Sequence, residues 1–190
     1  MSYPKIMDAA VPPLTAPAGI EGVMGYIGGP RATRIWTLAE WLRFQHLAQF
    51  PIYVPDLNAS PVIQAHDAVS LATAMGWAAF MPEPGRRVIV IDMEASTDRE
   101  WYAIMASVIE PAGFVPACYG SLSTVLGNAA ELVIAAAWSG GSVIPPIPAG
   151  QTIDGLQWEA NVPVGDTMVD YSVFTPALFA RGGAGPRHGA

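Results

Sequence analysis

The stretch Val88-Ile89-Val90-Ile91-Asp92-Met93-Glu94 decides the fold of this chain. Its four β-branched residues predict a buried strand, and a fully apolar run is typical of a parallel strand covered on both faces. Side chains alternate along a strand, so Asp92 and Glu94 point to the same side. The carboxyl end of a parallel strand is where α/β folds place their chemistry.

The two carboxylates of this stretch have two interpretations. Acids this close push their pKa values apart, which gives one group that can donate a proton and one that stays charged. Acids at a strand end can equally be solvated and have no chemical role. This segment alone leaves both interpretations open.

Seven further apolar segments along the chain also predict strands. Most are followed by a helical stretch, and this alternation predicts parallel pairing. Eight such strands predict an α/β fold of the closed (β/α)8 TIM-barrel type. The eight segments are 5–10, 22–28, 50–56, 87–94, 114–120, 132–138, 154–159 and 166–173.

The predicted helices lie mainly in the first half of the chain. Capping boxes at Thr37–Glu40 and Thr97–Glu100 predict helices that run to about Phe50 and Pro111. Further helices are expected at 65–76 and 121–131. The later connections 139–152 and 160–165 leave no room for a helix. We therefore expect a barrel whose outer helices are reduced in its second half.

The length of 190 residues suits one domain with a sizeable core. We assign residues 1–180 to the barrel and 181–190 to a Gly-rich tail. Such a tail cannot offset its ordering entropy by burying itself. We expect it to be flexible alone, or to pack against another chain in a homo- or hetero-assembly.

Composition excludes several classes of function. The net charge of −7 argues against a nucleic-acid partner. No apolar run approaches the roughly 18–20 residues of a membrane span, so a membrane protein is not expected. The first residues lack the apolar core of a signal peptide, which predicts synthesis in the cytoplasm.

Cysteine and histidine usage predicts neither a disulfide nor a metal site. Cys118 is the single cysteine and fits a small core residue. The three histidines, His46, His66 and His188, lack metal-ligand spacing. We therefore expect no metal at these residues.

Polar and aromatic residues occupy the predicted strand ends, which ring one mouth of a barrel. Carboxylates carry out glycoside hydrolysis, and aromatic rings stack on sugar faces, so this combination predicts a sugar site. The residues are Asp8, Tyr26, Asp56, Asp92, Glu94, Tyr119, Trp138, Gln157 and Asp170.

The order of these motifs resembles glycoside hydrolase family 25, the lysozyme-type muramidases, and more closely the related actinobacterial glycoside-hydrolase-like domain of unknown function. The resemblance extends to about residue 180. It rests on an early Asp8, on Asp92-Met93-Glu94, on Tyr119 and Trp138, on Gln157-Trp158 and on Val169-Asp170-Tyr171-Ser172-Val173-Phe174. The family's usual Asp-x-Ser is here Asp8-Ala9-Ala10, without the serine.

The resemblance implies cleavage of the β-1,4 link between N-acetylmuramic acid and N-acetylglucosamine in peptidoglycan. It implies a general acid at Glu94. It implies that Asp92 and Asp170 stabilise the oxocarbenium ion or orient the acetamido group, and that Asp8 positions substrate. Tyr26, Asp56, Tyr119, Trp138 and Gln157 are our further candidates for substrate binding. Members of the family need no cofactor.

Two functions remain open at this stage. The chain is either a muramidase, such as a phage lysin that reaches the cell wall after release, or a barrel in a phage tail or other virion that binds wall glycan without cutting it. The acidic charge and the absent signal peptide favour the second, and the retention of both Asp92 and Glu94 favours the first.

Overall fold

The computed structural model describes residues 3–77, 87–94, 97–128, 130–136 and 153–184. Its strands form one sheet in the order β2-β1-β8-β7-β6-β5-β4-β3, and an additional β2–β3 pairing closes the ring. The predicted eight-stranded barrel is confirmed. The strands are β1 (Lys5–Asp8), β2 (Gly22–Gly28), β3 (Ala48–Tyr53), β4 (Val88–Asp92), β5 (Val115–Ser121), β6 (Leu132–Ala136), β7 (Gly155–Val164) and β8 (Thr167–Phe174).

Among the described residues, four helices connect the strands of the first half of the barrel, and a short fifth follows β8. They are α1 (Leu38–Arg43), α2 (Pro61–Ala74), α3 (Arg99–Ile109), α4 (Leu122–Asn128) and α5 (Pro176–Phe179). Within the described part of the chain, no helix is long and apolar enough to cross a membrane.

Each of the four predicted helices differs from the structure at a boundary: α2 runs from Pro61 to Ala74 rather than over 65–76, and α4 from Leu122 to Asn128 rather than over 121–131. The capping box of Thr37 and Glu40 is present, but α1 ends at Arg43 rather than near Phe50. The chain must already turn there, because β3 begins at Ala48, opposite Gly22. The N-cap of α3 is Asp98 rather than Thr97, since the Asp98 carboxyl accepts the Trp101 N–H at 2.9 Å.

The direction of β8 is the main correction to the predicted topology. Strand β8 is antiparallel to both β7 and β1, whereas the other neighbours in the ring are parallel. Strand β7 continues to Val164, which pairs with Thr167 across the Gly165-Asp166 turn. Such a short connection can only form a hairpin, because a parallel crossover needs a dozen or more residues. The expectation that every carboxyl strand end meets at one mouth is therefore wrong for β8.

Two apolar layers surround the strands. The outer layer lies between the barrel and its helices and includes Trp36, Trp41 and Trp77. The inner layer fills the barrel interior from the inward-facing residues of the strands, and Leu178 of α5 joins it. We call the end of the interior that holds Phe50, Phe174 and Leu178 the base, and the opposite end the mouth.

The chain end lies against its own barrel as far as the structure describes it. A short strand β9 (Gly183–Ala184) pairs with β3, and Arg181 O accepts the Val88 N–H at 3.3 Å. Gly182 has no room for a side chain, since a Cβ there would lie 2.3 Å from Phe50 Cζ. Backbone pairing thus holds residues 181–184, where we expected a free tail. Residues 185–190 lie outside the described residues, and packing against another chain stays a prediction.

Candidate active site at the barrel mouth

The inward-facing residues of the strands change from apolar to polar on reaching the mouth. On β4 the inward side chains are Val88, Val90 and then Asp92, because alternate residues face one side of a strand. The other strands follow the same rule. The inward residues at the mouth are Asp8 on β1, Tyr26 on β2, Asp92 on β4, Tyr119 on β5, Gln157 on β7 and Asp170 on β8.

Gln157 is the centre of this polar layer. Its side-chain Nε2 donates to Asp170 Oδ2 at 3.1 Å and to Asp8 Oδ2 at 3.4 Å. Its Oε1 accepts the Tyr119 hydroxyl at 2.9 Å. One buried amide therefore joins side chains from β1, β5 and β8, and the prediction that these residues converge agrees with the geometry.

Asp170 reaches the mouth from the amino-terminal half of an antiparallel strand. It pairs directly with Asp8 in the β1–β8 register. Its Oδ1 accepts the backbone N–H of Asn161 at 2.7 Å. The register of β7 shifts on either side of Glu159, and Asn161 has a left-handed φ of +58°. This irregularity aims a backbone donor at the Asp170 carboxylate.

Asn161 was not among the residues predicted from the sequence. A weak signal existed, because asparagine tolerates left-handed backbone better than most residues. Its contribution is a backbone N–H, however, and no side-chain motif reports that.

Asp8 is the most deeply buried acid of the mouth, at 4% exposure. Burial raises the pKa of its carboxyl well above the ordinary value, and the charges of Asp170, Asp92 and Glu94 act in the same direction. Its Oδ1 has no hydrogen-bond partner among the described residues. Asp8 is thus held in a place where its charged form is costly, and its unpaired Oδ1 is itself buried.

Asp92 and Glu94 form a coupled pair. The Glu94 backbone N–H donates to Asp92 Oδ1 at 3.1 Å. Burial raises the pKa of Asp92 to about 7, and the charge of Glu94 adds to this effect. Arg31, in the loop after β2, opposes the shift. Arg31 was not predicted from the sequence, and it acts on the site through its charge.

Glu94 is the most accessible of the mouth acids. Partial burial raises the pKa of its carboxyl, and the charge of Asp170 acts in the same sense. A hydrogen bond with the Tyr119 hydroxyl opposes this shift and lowers the pKa of Glu94. Burial and the neighbouring carboxylates raise the pKa values of both Tyr26 and Tyr119, so these hydroxyls stay protonated.

A cleft opens beside the two acids of β4. It has a volume of about 290 Å³ and is lined by Arg31, Val54, Pro55, Asp92 and Glu94. A ligand in this cleft would contact the accessible Glu94 directly.

One predicted site residue, Asp56, is not part of this network in the structure. Asp56 lies beyond the end of β3, and its Oδ1 accepts from the N–H and side-chain amide of Asn58 at 3.1 and 3.2 Å. These bonds close a local turn in the loop. Trp138 lies outside the described residues, so its substrate-binding role stays a prediction.

The chemistry available at the mouth is that of carboxyl groups. Within the described ranges, no cluster of three or more His, Cys, Asp or Glu side chains could hold a metal ion. A carboxyl that titrates near neutral pH beside a second carboxyl can transfer protons at physiological pH. The arrangement can therefore perform acid catalysis and stabilise a positively charged transition state.

Structural comparison finds solved proteins with the same fold over nearly the whole chain. An uncharacterized protein of B. stearothermophilus is 16% identical, with a TM-score of 0.71, covering 94% of this chain and 99% of its own. The catalytic domain of endolysin ply40, from bacteriophage P40 of Listeria monocytogenes, is 10% identical, with a TM-score of 0.70 and coverages of 96% and 98%. The bacterial lysozyme of Streptomyces coelicolor is 16% identical, with a TM-score of 0.68 and coverages of 96% and 98%.

At these identities the likeness establishes the fold alone. No protein-family model matches the chain, and no curated protein sequence matches it. The family resemblance drawn from the motifs is thus supported by architecture and by no sequence match.

Proposed function

We propose that this chain is a peptidoglycan hydrolase that cleaves the glycan strand in the manner of a muramidase. The observation that carries the proposal is the convergence of Asp8, Asp92, Glu94 and Asp170 at the mouth, three of them on different strands and two of those held by Gln157. The fold is shared with an endolysin catalytic domain and a bacterial lysozyme, which supports a cell-wall substrate.

Glu94 is the general acid in this proposal. It is the most accessible acid, and its raised pKa keeps a proton available for the glycosidic oxygen. When Glu94 ionises, its charge in turn holds a proton on Asp92, so the two groups titrate as a pair.

The other acids stabilise and position the sugar. Burial raises the pKa of the Asp170 carboxyl, and the hydrogen bond from the Asn161 N–H opposes that shift and favours the charged form. A charged Asp170 and the ionised form of Asp92 would stabilise an oxocarbenium ion in the cleft. Asp8 is buried, so it would help to position the substrate through the Gln157 amide that it shares with Asp170. We place the site of action at the bacterial cell wall, reached after phage-type release or as part of a virion.

A zymogram on purified actinobacterial cell wall tests the proposal. We expect a lytic band from the wild-type chain and a loss of about 10²–10⁴-fold in turnover for Glu94→Gln, because an amide cannot protonate a leaving oxygen. Glu110→Gln, at the exposed end of α3, is the matched control and should lyse normally.

A folded wild-type chain that binds the cell wall without lysing it would contradict the proposal that this chain is an enzyme. It would favour the alternative, a glycan-binding barrel in a phage tail or other virion. Unchanged lysis by folded Glu94→Gln would remove Glu94 from the mechanism.

A further inference from the structure

The cleft beside the acids of β4 carries groups of both charges. It has a volume of about 290 Å³, and its lining comes from the ends of three neighbouring strands of the ring. Because β3 lies between β2 and β4, Val54 and Pro55 separate Arg31 from Asp92 and Glu94. A ligand in the cleft therefore meets carboxyl groups towards β4 and a guanidinium towards β2.

The loop that carries Arg31 is fastened to the end of β3. The Arg31 N–H donates to Val54 O at 3.3 Å, and the Val54 N–H donates to Gly28 O at 3.0 Å. Gly29 allows this close approach, since its φ is +111° and a Cβ there would lie 2.2 Å from Val54 O. The backbone of Arg31 is thus fixed beside the cleft, although its side chain is exposed.

The guanidinium of Arg31 keeps its donors available for a ligand. Across the residues that the structure describes, it forms no ion pair and no side-chain hydrogen bond. Arg34, three residues further along the same loop, is instead paired with Glu40. Arg34 is therefore already occupied, whereas Arg31 borders the cleft with the five N–H groups of its guanidinium unpaired.

A carboxylate is the group that such a guanidinium binds best. Its two oxygens match the planar fork of arginine, and these charge-assisted bonds are stronger than bonds to neutral hydroxyl or amide acceptors. Asp92 and Glu94 would repel an anion if both were fully charged. Burial raises the pKa of Asp92 to about 7 and that of Glu94 above its ordinary value, which weakens this repulsion.

We propose that Arg31 is a specificity-determining residue that binds a carboxylate of the glycan strand beside the bond that Glu94 protonates. The proposal names a substrate class, and it rests on the proposed function for the use of the cleft as a sugar subsite. In peptidoglycan the carboxylate has two sources: the lactyl group of N-acetylmuramic acid where no peptide is attached, or the peptide that this group otherwise carries. Neutral chains of N-acetylglucosamine would bind less well.

An NMR titration with a disaccharide tests the proposal without turnover. The probe is N-acetylglucosaminyl-N-acetylmuramic acid, which lacks the bond that a muramidase cuts, used as the free acid and as its neutral carboxamide. The backbone amide signals of Val54 and Glu94 report binding in the cleft. We expect the wild-type chain to bind the acid about 5–10-fold more tightly than the carboxamide, the size of one partly exposed charge-assisted hydrogen bond.

Variants of the loop assign this preference to one side chain. Arg31→Gln should bind the acid and the carboxamide equally. Arg31→Lys should keep part of the preference, because lysine retains the charge and loses the planar fork. Arg34→Gln is the matched control, since it removes the same charge from the same loop and should leave the preference unchanged.

A second pair of probes distinguishes the two sources of the carboxylate. It carries one alanine on the lactyl group, as the free acid and as the amide. A preference for the acid that depends on Arg31 in the first pair assigns the carboxylate to the lactyl group. The same dependence in the second pair alone assigns it to the peptide.

Three results would overturn the proposal. They are equal affinities of the wild type for acid and amide in both pairs, a preference that Arg31→Gln retains, and the absence of binding by every probe. An equal loss of acid and amide binding in Arg31→Gln would also count against it, because Arg31 would then bind a neutral group that the probes share. Should Arg31→Gln fail to fold, the wild-type preference must shrink at high salt, which screens an exposed ion pair.

The outcome is separable from that of the proposed function. A chain that prefers the acid through Arg31 but does not lyse cell wall would contradict the hydrolase and leave the carboxylate subsite standing. A chain that lyses cell wall and shows no preference for the acid would do the reverse.

Discussion

The base and the mouth of the barrel interior are built on the same strands by the same alternation, yet their chemistry is opposite. At the base, Phe50 and Phe174 meet edge to face with their ring centroids 4.8 Å apart, and Leu178 packs against them. At the mouth, a few residues along each strand, the inward positions are acids, phenols and an amide. A strand such as β4 passes from Val88 to Asp92 within five residues.

This contrast separates what stabilises the barrel from what its site requires. Burying apolar side chains at the base contributes to folding free energy in proportion to the area removed from water. Gathering acids at the mouth does the reverse at neutral pH, since a carboxyl with a raised pKa is ionised at a cost. The stability gained at the base must therefore offset the cost of the acids at the mouth. Substitutions at the two ends should change the free energy of unfolding in opposite directions.

The largest effect on stability is expected at the base. Phe174→Ala removes a fully buried ring from its contacts with Phe50 and Gly155, so the free energy of unfolding should drop by about 3–5 kcal/mol. Urea denaturation followed by fluorescence measures this. Met168→Ala, on the same strand but 57% exposed near the mouth, is the matched control and should change stability by no more than about 0.5 kcal/mol. Equal losses in the two variants would remove the contrast between base and mouth.

A gain in stability is expected at the mouth. The pKa of Asp92 is raised from 3.8 to about 7 in the folded state. Its stabilising contribution is therefore fully present below pH 3.8 and is lost as the pH rises through about 7. Asp92→Asn cannot ionise and avoids that loss. At pH 8 it should exceed the wild type by about 2–4 kcal/mol, and at pH 3.5 the two should agree.

Thermal or urea unfolding at both pH values gives the comparison. The control Asp166→Asn lies on the exposed hairpin turn and should follow the wild type at either pH. If Asp92→Asn is less stable than the wild type at pH 8, ionising Asp92 in the folded state does not destabilise the protein as we expect.

A smaller effect on stability is expected at Gly155, where the base has no room for a larger side chain. A Cβ at Gly155 would lie 2.8 Å from Phe174 Cδ1 and 3.1 Å from Ile134 Cγ1. Gly155→Ala should therefore destabilise by about 1–3 kcal/mol through overpacking. Adding Phe174→Leu creates space, so the double variant should lose less than the sum of the two single variants. If the losses of the two single variants simply add up in the double variant, the strain of Gly155→Ala does not come from contact with Phe174.

Much of the fold follows from local sequence patterns. The apolar run from Val88 to Ile91 and its counterparts mark the strands, and their alternation with helices gives the barrel. The reversed β8 does not follow, because Asn161 and Pro163 interrupt the pattern of β7 and make it resemble a loop. Without the continuation of β7 to Val164, the Gly165-Asp166 turn cannot be recognised as a hairpin.

The residues of the candidate site also fall into those that the sequence predicts and those that it does not. Side chains alternate along a strand, so the residues that face inward can be identified from the sequence. This applies to Asp8, Asp92, Gln157 and Asp170. Asp56 shows the limit of that rule. Strand β3 ends at Tyr53, and three residues later the alternation no longer fixes where a side chain points. Asn161 and Arg31 act through a backbone N–H and a charge, which no short motif reveals.

The β7–β8 hairpin also has a consequence for the order of folding. Its contacts are local in sequence, between residues 155 and 174, whereas the pairing of β1 with β8 joins Lys5 to Val173. Local hairpins form far sooner than contacts that close a long loop. We therefore expect Gln157, Asn161 and Asp170 to assemble early, as one half of the site. Asp8 joins them only when the ring closes. A partly folded barrel therefore lacks the complete set of mouth acids until the last strand has paired.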